Sequence, residues 1–272
     1  MLNPARLCLL VLYFSGLALL AGCSERKTMR ELCSLHPDVC SDLNEDGWCR
    51  YQRAAVIEQR IVLKAKPADD DARYQMLLAW EVYRDCIALA ADVRQQEQRF
   101  AAANRMRGYL TSLNEIEQLS KATLDSSNPF LLFWHWTREA RDDSLQRLLE
   151  ADKQGELQIG EIQYRLGTYY AKSDIDLAIH KTLRSLELLP KKEEYSGDAL
   201  TTLATLYYRK DVPEKAYTWM RVAELAEVEG ARAGSIAEHF RMGKETLKQL
   251  NDNAEDLFDQ INDRTFVSPR GQ

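Results

Sequence analysis

Four cysteines are the residues whose spacing most directly suggests covalent chemistry. They are Cys33, Cys40, Cys49 and Cys86. An even number of cysteines is typical of a disulfide framework in an oxidising compartment, and four cysteines allow three pairings. Cys33 and Cys40 flank a turn-prone stretch and would close a small loop, which leaves Cys49 to reach Cys86. The other pairings remain open, and a structural zinc site is the less favoured alternative because no close Cys-x2-Cys pair is present.

The acidic segment 42–49, DLNEDGWC, is a second chemical candidate, for a Ca²⁺ cofactor. The candidate ligands are Asp42, Asn44 and Asp46. Together with Gly47 they fall where an EF-hand loop places its first oxygen ligands and its sharp turn. The twelfth position of such a loop needs a bidentate glutamate, but Arg53 stands there. The alternative is an Asp-Gly turn whose side chains cap backbone donors ahead of the next helix.

Catalytic chemistry has little support in this sequence. The four histidines are His36, His135, His180 and His239. None of them forms a metal-spaced pair, and the sequence contains no G-x-S-x-G elbow, phosphate-binding glycine loop or His-Glu-x-x-His helix. We therefore predict a protein that is not an enzyme, with a cell-envelope enzyme as the alternative.

The first 23 residues indicate export and lipidation. Residues 1–22 have the layout of a signal peptide, and the apolar run 7–20 is shorter than the roughly 20 residues of a membrane-spanning helix. The segment LAGC at 20–23 resembles the lipobox of bacterial lipoproteins, which implies that Cys23 is acylated and becomes the mature N-terminus. Ser24 stands where the inner-membrane retention signal of that class has Asp, so the resemblance implies lipid anchoring at the periplasmic face of the outer membrane. The alternative is an ordinary signal peptide that contains a cysteine.

The composition is that of a globular protein. The chain has 272 residues, of which 45% are hydrophobic and 29% charged, and the 12 Gly and 7 Pro exclude collagen-like and low-complexity chains. The 42 acidic and 36 basic residues give a net charge of -6, which gives no support to nucleic-acid binding. Removal of residues 1–22 takes away one arginine and leaves 250 residues with a net charge of -7. The lipid would therefore have to hold this acidic body at an anionic membrane.

Apolar residues recur at spacings of three and four from Arg50 onward, without alternating β-strand patterns, which predicts an all-α protein. A first helix is expected over 47–65 and ends before Pro67. Asp69 is expected to cap the next helix, whose buried face includes Cys86. The aromatic run 130–136 is interpreted as core, with a ligand-stacking groove as the alternative.

Two segments after residue 155 repeat with an offset of about 37 residues. The matching positions are Leu166, Gly167, Tyr170, Ala178 and Pro190 in the first segment, and Leu203, Ala204, Tyr207, Ala216 and Ala223 in the second. The pattern resembles the tetratricopeptide repeat, and the second copy also resembles the Sel1-like repeat. Small residues at such positions let paired helices approach closely, and the stretch 231–261 would cap the stack. A chance helical hairpin is the alternative.

We therefore predict an all-α fold in which helical hairpins stack as a short tetratricopeptide-like solenoid, preceded by a small cysteine-containing N-terminal module. The predicted divisions are a lipoprotein signal peptide at 1–22, a lipidated N-terminus and cysteine module at 23–66, a helical domain at 67–155, repeats and capping helices at 156–265, and a frayed tail at 266–272. The lipobox, the segment 42–50 and the repeats together resemble an uncharacterised family of gammaproteobacterial putative lipoproteins. That resemblance implies the layout and assigns no activity.

The predicted function is a non-enzymatic outer-membrane lipoprotein that acts as a scaffold or adaptor for envelope proteins in the periplasm. Helical-repeat solenoids bind partner segments in a groove, which we expect on the first helix of each hairpin. The candidate groove residues are Gln163, Arg165, Tyr169, Thr201, Thr205 and Tyr208. The alternative is a structural calcium-binding envelope protein without a specific partner.

Overall fold

The structure is a computed structural model that describes residues 28–93, 99–190 and 197–268. Within these ranges the chain forms twelve α-helices and one 3-10 turn, with no strand, so the all-α prediction is confirmed. The chain divides into two compact units, 1–125 and 126–272. The predicted signal peptide and the predicted lipidation site, Cys23, lie outside the described residues.

Three long helices dominate the first unit. Its elements are α1 (Met29–Leu35), the 3-10 turn (Pro37–Val39), α2 (Arg50–Ala65), α3 (Asp70–Asp92) and α4 (Arg99–Ala122). Both α2 and α4 pack on α3, and the shared core includes Ile57, Trp80 and Tyr83, which are almost completely buried. Each such side chain contributes roughly 1.5–3 kcal/mol by leaving water. The Asp69 carboxylate accepts hydrogen bonds from two backbone amides of the first turn of α3, as the capping prediction requires.

Two disulfides stabilise the first unit. Cys33 is bonded to Cys40, and Cys49 to Cys86, with Cα–Cα distances of 5.7 and 5.9 Å. This is the pairing that the spacing favours. All four sulfurs are used, which removes the zinc alternative. The second bond links the residue before α2 to the middle of α3, so it fixes the register of the two helices that form most of this core.

The second unit is a row of helical hairpins. Its helices are α5 (Pro129–Glu139), α6 (Asp142–Lys153), α7 (Gly160–Tyr170), α8 (Ile175–Glu187), α9 (Asp198–Arg209), α10 (Pro213–Leu225), α11 (Ala233–His239) and α12 (Lys244–Asn262). Neighbouring helices pair as α5–α6, α7–α8 and α9–α10, and α8 also packs on α9. The last two helices both pack on α10. Stacked helical hairpins are therefore confirmed.

The small residues of the repeated pattern lie where helices approach most closely. A Cβ atom added at Gly167 of α7 would stand 2.5 Å from the Thr182 hydroxyl and 3.2 Å from the Ala178 carbonyl of α8. Ala204 of α9 and Ala216 of α10 are completely buried. A larger side chain at any of these positions would separate the paired helices.

The boundary between the units differs from the predicted divisions. The predicted helical domain 67–155 is split, because α3 and α4 belong to the first unit whereas α5 and α6 belong to the second. The aromatic run explains the split. Phe130 and Phe133 of α5 pack in a core with Leu166 of α7, so α5 joins the hairpins that follow it. The predicted frayed tail begins at residue 266, but Phe266 is only 5% exposed, so the prediction is wrong for this first residue.

Candidate functional site

Two neighbouring pockets lie on the second unit, on either side of the C-terminal residues 264–268. The first, the polar pocket, has a volume of about 480 Å³ and is lined by Asp152, Gln158, Gln163, His180, Lys181, Arg184, Glu187, Val267 and Ser268. The second, the apolar pocket, has a volume of about 460 Å³ and is lined by Leu183, Tyr207, Glu214, Lys215, Thr218, Trp219, Leu250, Asn253, Asp256, Leu257, Gln260 and Phe266. Leu183 and Arg184 are consecutive in α8, and Phe266 and Val267 are consecutive in the C-terminal segment. The two pockets therefore adjoin each other, and we call them together the groove.

A largely buried ion pair forms the floor of the polar pocket. Lys181 Nζ lies 2.7 Å from Asp152 Oδ1 and 2.6 Å from Oδ2, and the two side chains are 12% and 9% exposed. Gln163 is 3% exposed, and its Nε2 donates to Asp152 Oδ1 and to the Leu157 carbonyl, which holds the carboxylate in place. Because the charges of Lys181 and Asp152 neutralise each other, this floor offers polarity without net charge.

The rim of the polar pocket is built around Glu187. Its carboxylate accepts hydrogen bonds from Arg184 and from the backbone amide of Ser268. Burial works to raise the pKa of Glu187, but the bonds from Ser268 and Arg184 outweigh burial and hold the pKa below its ordinary value. The second guanidinium nitrogen of Arg184 donates to Gln158 Oε1 at 2.5 Å. Glu187 therefore stays ionised near neutral pH and serves as a fixed acceptor for a backbone N–H.

The apolar pocket is lined by aromatic rings. Trp219 and Phe266 meet edge to face, with ring centroids 6.0 Å apart. Burial raises the pKa of the Tyr207 hydroxyl, and Lys215 Nζ lies 5.3 Å from the centre of the same ring. Such a surface takes an aromatic or aliphatic side chain.

The candidate groove residues on the first helices are distributed differently. Gln163 lines the polar pocket, whereas the other five do not line either pocket. Arg165 lies over the Phe133 ring at 4.8 Å, and Tyr169 packs edge to face on Trp136. These two residues hold α5 against α7.

The remaining three candidates lie on α9. Thr201 and Thr205 donate to carbonyl oxygens of their own helix. Tyr208 is 41% exposed, and its hydroxyl lies 3.2 Å from His239 Nε2. Most residues of the groove come from the second helices α8 and α10, from α12 and from the C-terminal segment, and α6, α7 and α9 contribute one residue each. No local sequence signal marks its ion pair, because Asp152 and Lys181 stand 29 residues apart.

The candidate calcium ligands of the first unit are bonded to protein groups. Both carboxylate oxygens of Asp42 accept from Arg60, at 2.6 and 2.7 Å. Burial alone would raise the pKa of Asp42, but the hydrogen bonds and charge of Arg60 hold it below the ordinary aspartate range. The Asn44 side chain accepts from the Tyr83 hydroxyl at 2.9 Å and donates to Asp46 Oδ1 at 2.7 Å.

A buried arginine occupies the other end of this loop. Arg105 is 1% exposed, and its Nε lies 3.0 Å from Asp46 Oδ2 while its N–H is directed at the Ala101 carbonyl. The contact with Asp46 is thus electrostatic, and a second guanidinium nitrogen donates to the Ala90 carbonyl at the end of α3. Arginine side chains therefore hold the loop where the calcium interpretation places a metal ion. In the described ranges no group of three His, Cys, Asp or Glu side chains is arranged to hold a metal ion.

His135, His180 and His239 have different surroundings. His135 is 1% exposed and its Nδ1 lies 2.9 Å from Glu139 Oε2 on the next turn of α5. His180 is exposed beside the polar pocket, and His239 contacts Tyr208. Among the helices that the structure describes, none is long and apolar enough to cross a bilayer.

Comparison with known proteins identifies the family. A family model described as "Protein of unknown function (DUF2989)" matches residues 20–221, and the chain belongs to this family. Neither the curated proteins nor the solved structures contain a match. The matched range ends within α10, so α11, α12 and the C-terminal segment lie beyond it, and the last two of these line parts of the groove.

Proposed function

We propose that this DUF2989 member is an outer-membrane lipoprotein that acts as a non-enzymatic scaffold in the periplasm. The lipobox-like segment 20–23 and the absence of Asp after Cys23 support the anchor and the membrane. Disulfides between all four of the cysteines that follow it suit an oxidising compartment. The hairpins of the second unit serve as tetratricopeptide-like repeats, and their matching small residues support that assignment.

The observation that carries the scaffold proposal is the groove on α8, α10 and α12. It combines an apolar pocket of about 460 Å³ with a polar pocket of about 480 Å³. Protein segments bind where an apolar anchor is placed next to fixed hydrogen-bonding groups, and helical hairpins often present such grooves to peptides. The expected partner is another envelope protein, and the expected contact is a segment of its chain rather than a small metabolite.

Site-specific photo-crosslinking in living cells tests the proposal. A photoreactive phenylalanine analogue is placed at Gln158, at the rim of the polar pocket, and as a matched control at Thr205, which is exposed on α9. We expect a discrete crosslinked partner from position 158 and none from position 205. Crosslinks from position 205 alone would place the partner on the first helices, and the absence of crosslinks from both positions would contradict the scaffold proposal.

The anchor is tested separately by metabolic labelling with a fatty-acid analogue. The wild-type protein should become labelled and should fractionate with the outer membrane, whereas a Cys23→Ala variant should remain unlabelled. Labelling of the variant would refute the assignment of Cys23. Fractionation of the labelled wild type with the inner membrane would refute the sorting argument from Ser24.

A further inference from the structure

The C-terminal residues 264–268 lie in the groove as a bound peptide would. After α12 ends, the chain turns back, and the amides of Thr265 and Phe266 donate to the Gln260 carbonyl at 2.9 and 3.1 Å. Arg264 Nε donates to the Pro190 carbonyl at 3.0 Å. Phe266 then lines the apolar pocket, and Val267 and Ser268 line the polar pocket. We call residues 264–268 the tail segment.

Phe266 is the apolar anchor of the tail segment. It is 5% exposed, packs edge to face on Trp219 and forms one wall of the apolar pocket. Phe266 belongs to the hydrophobic core of the second unit, but it reaches that core from a non-helical segment, as the aromatic anchor of a bound peptide does. The pocket beside the ring still has a volume of about 460 Å³, so the ring does not fill the site.

The two residues after the anchor make very different contacts. Val267 is 67% exposed, so its position tolerates many side chains. The backbone amide of Ser268 donates to Glu187 Oε1, and Glu187 is held in place by Arg184. The polar pocket beyond Ser268 offers the neutralised Lys181–Asp152 pair. Recognition therefore depends on one aromatic side chain and on one main-chain donor two positions later.

The geometry points to a peptide-binding site in which the tail segment is the intramolecular occupant. The groove binds a non-helical segment of a partner protein. That segment carries an aromatic residue and, two positions later, a residue other than proline. This inference rests on the proposed scaffold function and adds the chemistry of the partner. Binding of the partner displaces the tail segment, because both place an aromatic ring against Trp219 and an N–H donor against Glu187. The unfilled volume on both sides gives the partner contacts that the tail segment does not make.

Peptide binding by the full mature chain tests this inference. The probe is a fluorescent decapeptide with the sequence of residues 263–272, DRTFVSPRGQ, and the control peptide has Ala in place of Phe. Phe266→Ala removes the anchor from the chain itself, and Phe240→Ala is the matched control because Phe240 packs on the same core but lines neither pocket. We expect Phe266→Ala to bind the probe at least tenfold more tightly than the wild type or Phe240→Ala. The control peptide should not bind, and adding Glu187→Gln should weaken binding of the probe.

Hydrogen exchange provides a second measurement that does not depend on the folding of Phe266→Ala. In the wild-type chain, a large excess of the unlabelled decapeptide should accelerate amide exchange in residues 264–268 and leave α6 unchanged. The inference is overturned if folded Phe266→Ala binds neither peptide at millimolar concentration. If that variant is unfolded, it is overturned when the excess peptide leaves exchange in the tail segment unchanged.

The outcomes separate this inference from the proposed function. A partner crosslinked from Gln158, together with no peptide binding, would retain the scaffold and refute the tail segment as its competitor. Peptide binding without any crosslinked partner in cells would retain the chemistry of the groove and refute the scaffold function.

Discussion

Removing the disulfide between Cys49 and Cys86 should destabilise the first unit more than removing the one between Cys33 and Cys40. The two bonds close loops with sequence separations of 37 and 7 residues. In the chain-entropy treatment of the unfolded state, loops of these lengths correspond to about 3.8 and about 2.4 kcal/mol at 25 °C. The expected difference between the two variants is therefore roughly 1.5 kcal/mol. The contacts of the folded unit support the same order, because only the longer loop joins two helices of the core.

The assay compares two double variants, Cys33→Ala with Cys40→Ala and Cys49→Ala with Cys86→Ala. Hydrogen exchange of peptides from α2 and α3, followed across a urea series, measures the unfolding of the first unit alone, and peptides from α8 serve as the internal control. With a urea dependence of about 1–3 kcal/mol per molar, the midpoints of the two variants should differ by roughly 0.5–1.5 M. Equal midpoints, or a lower midpoint for the variant that lacks the short loop, would refute the reasoning. A shift in α8 would show that the effect is not confined to the first unit.

Three further predictions concern helix packing, pH and calcium. Gly167→Ala places a methyl group 2.5 Å from the Thr182 hydroxyl and should lower the unfolding free energy of the second unit by about 1–3 kcal/mol in urea melts. The double variant Gly167→Ala with Thr182→Ala should recover part of this loss. If it recovers none, the clash with Thr182 is not the cause. Asp42→Asn should destabilise the first unit at pH 7, because Arg60 holds the folded-state pKa of Asp42 below the unfolded value of about 3.9. The contribution of Asp42 to stability is present above the unfolded value and is lost as the pH falls through the folded-state pKa. Urea melts of wild type and variant should therefore converge as the pH is lowered, and a difference that stays constant with pH would contradict the assignment. Millimolar Ca²⁺ should leave the thermal midpoint of the first unit unchanged, because the carboxylates of Asp42 and Asp46 are already paired with arginine; a clear upward shift in thermal melts would restore the calcium interpretation.

Local patterns were sufficient for much of the fold. The spacing of the cysteines favoured the observed pairs over the two other pairings, because the turn-prone stretch between Cys33 and Cys40 can close a small loop. The offset of about 37 residues correctly located a close helix contact at Gly167 and a fully buried small residue at Ala204. The buried small residues could be predicted because periodicity reports which face of a helix is buried.

The groove depends on contacts that are distant in sequence, so the pattern did not reveal it. The residues that form its floor and rim come from α6, from α8 and from the tail segment, and no spacing rule connects them. Phe266 was the one available signal, as a lone large aromatic residue within the polar stretch 262–272. Composition alone led to the prediction of a frayed tail at 266–272, because a single aromatic side chain raises the mean hydropathy of a polar segment very little. The boundary near residue 125 was missed for a related reason, since the pattern does not show on which neighbour the aromatic face of α5 packs.

The order of the disulfides along the chain has a consequence for how the first unit matures. From residue 33 onward, the first cysteine is bonded to the second and the third to the fourth, so the bonds are neither nested nor crossed. During passage through a membrane, the chain would present Cys33 and Cys40 to an oxidising enzyme before Cys49 and Cys86. An enzyme that joins thiols in their order of emergence would then form both native bonds directly. Acylation of Cys23 would remove the one upstream thiol of the mature chain that could intercept Cys33. On this account, biogenesis of the protein requires a disulfide-forming oxidase but no isomerase to reshuffle its bonds.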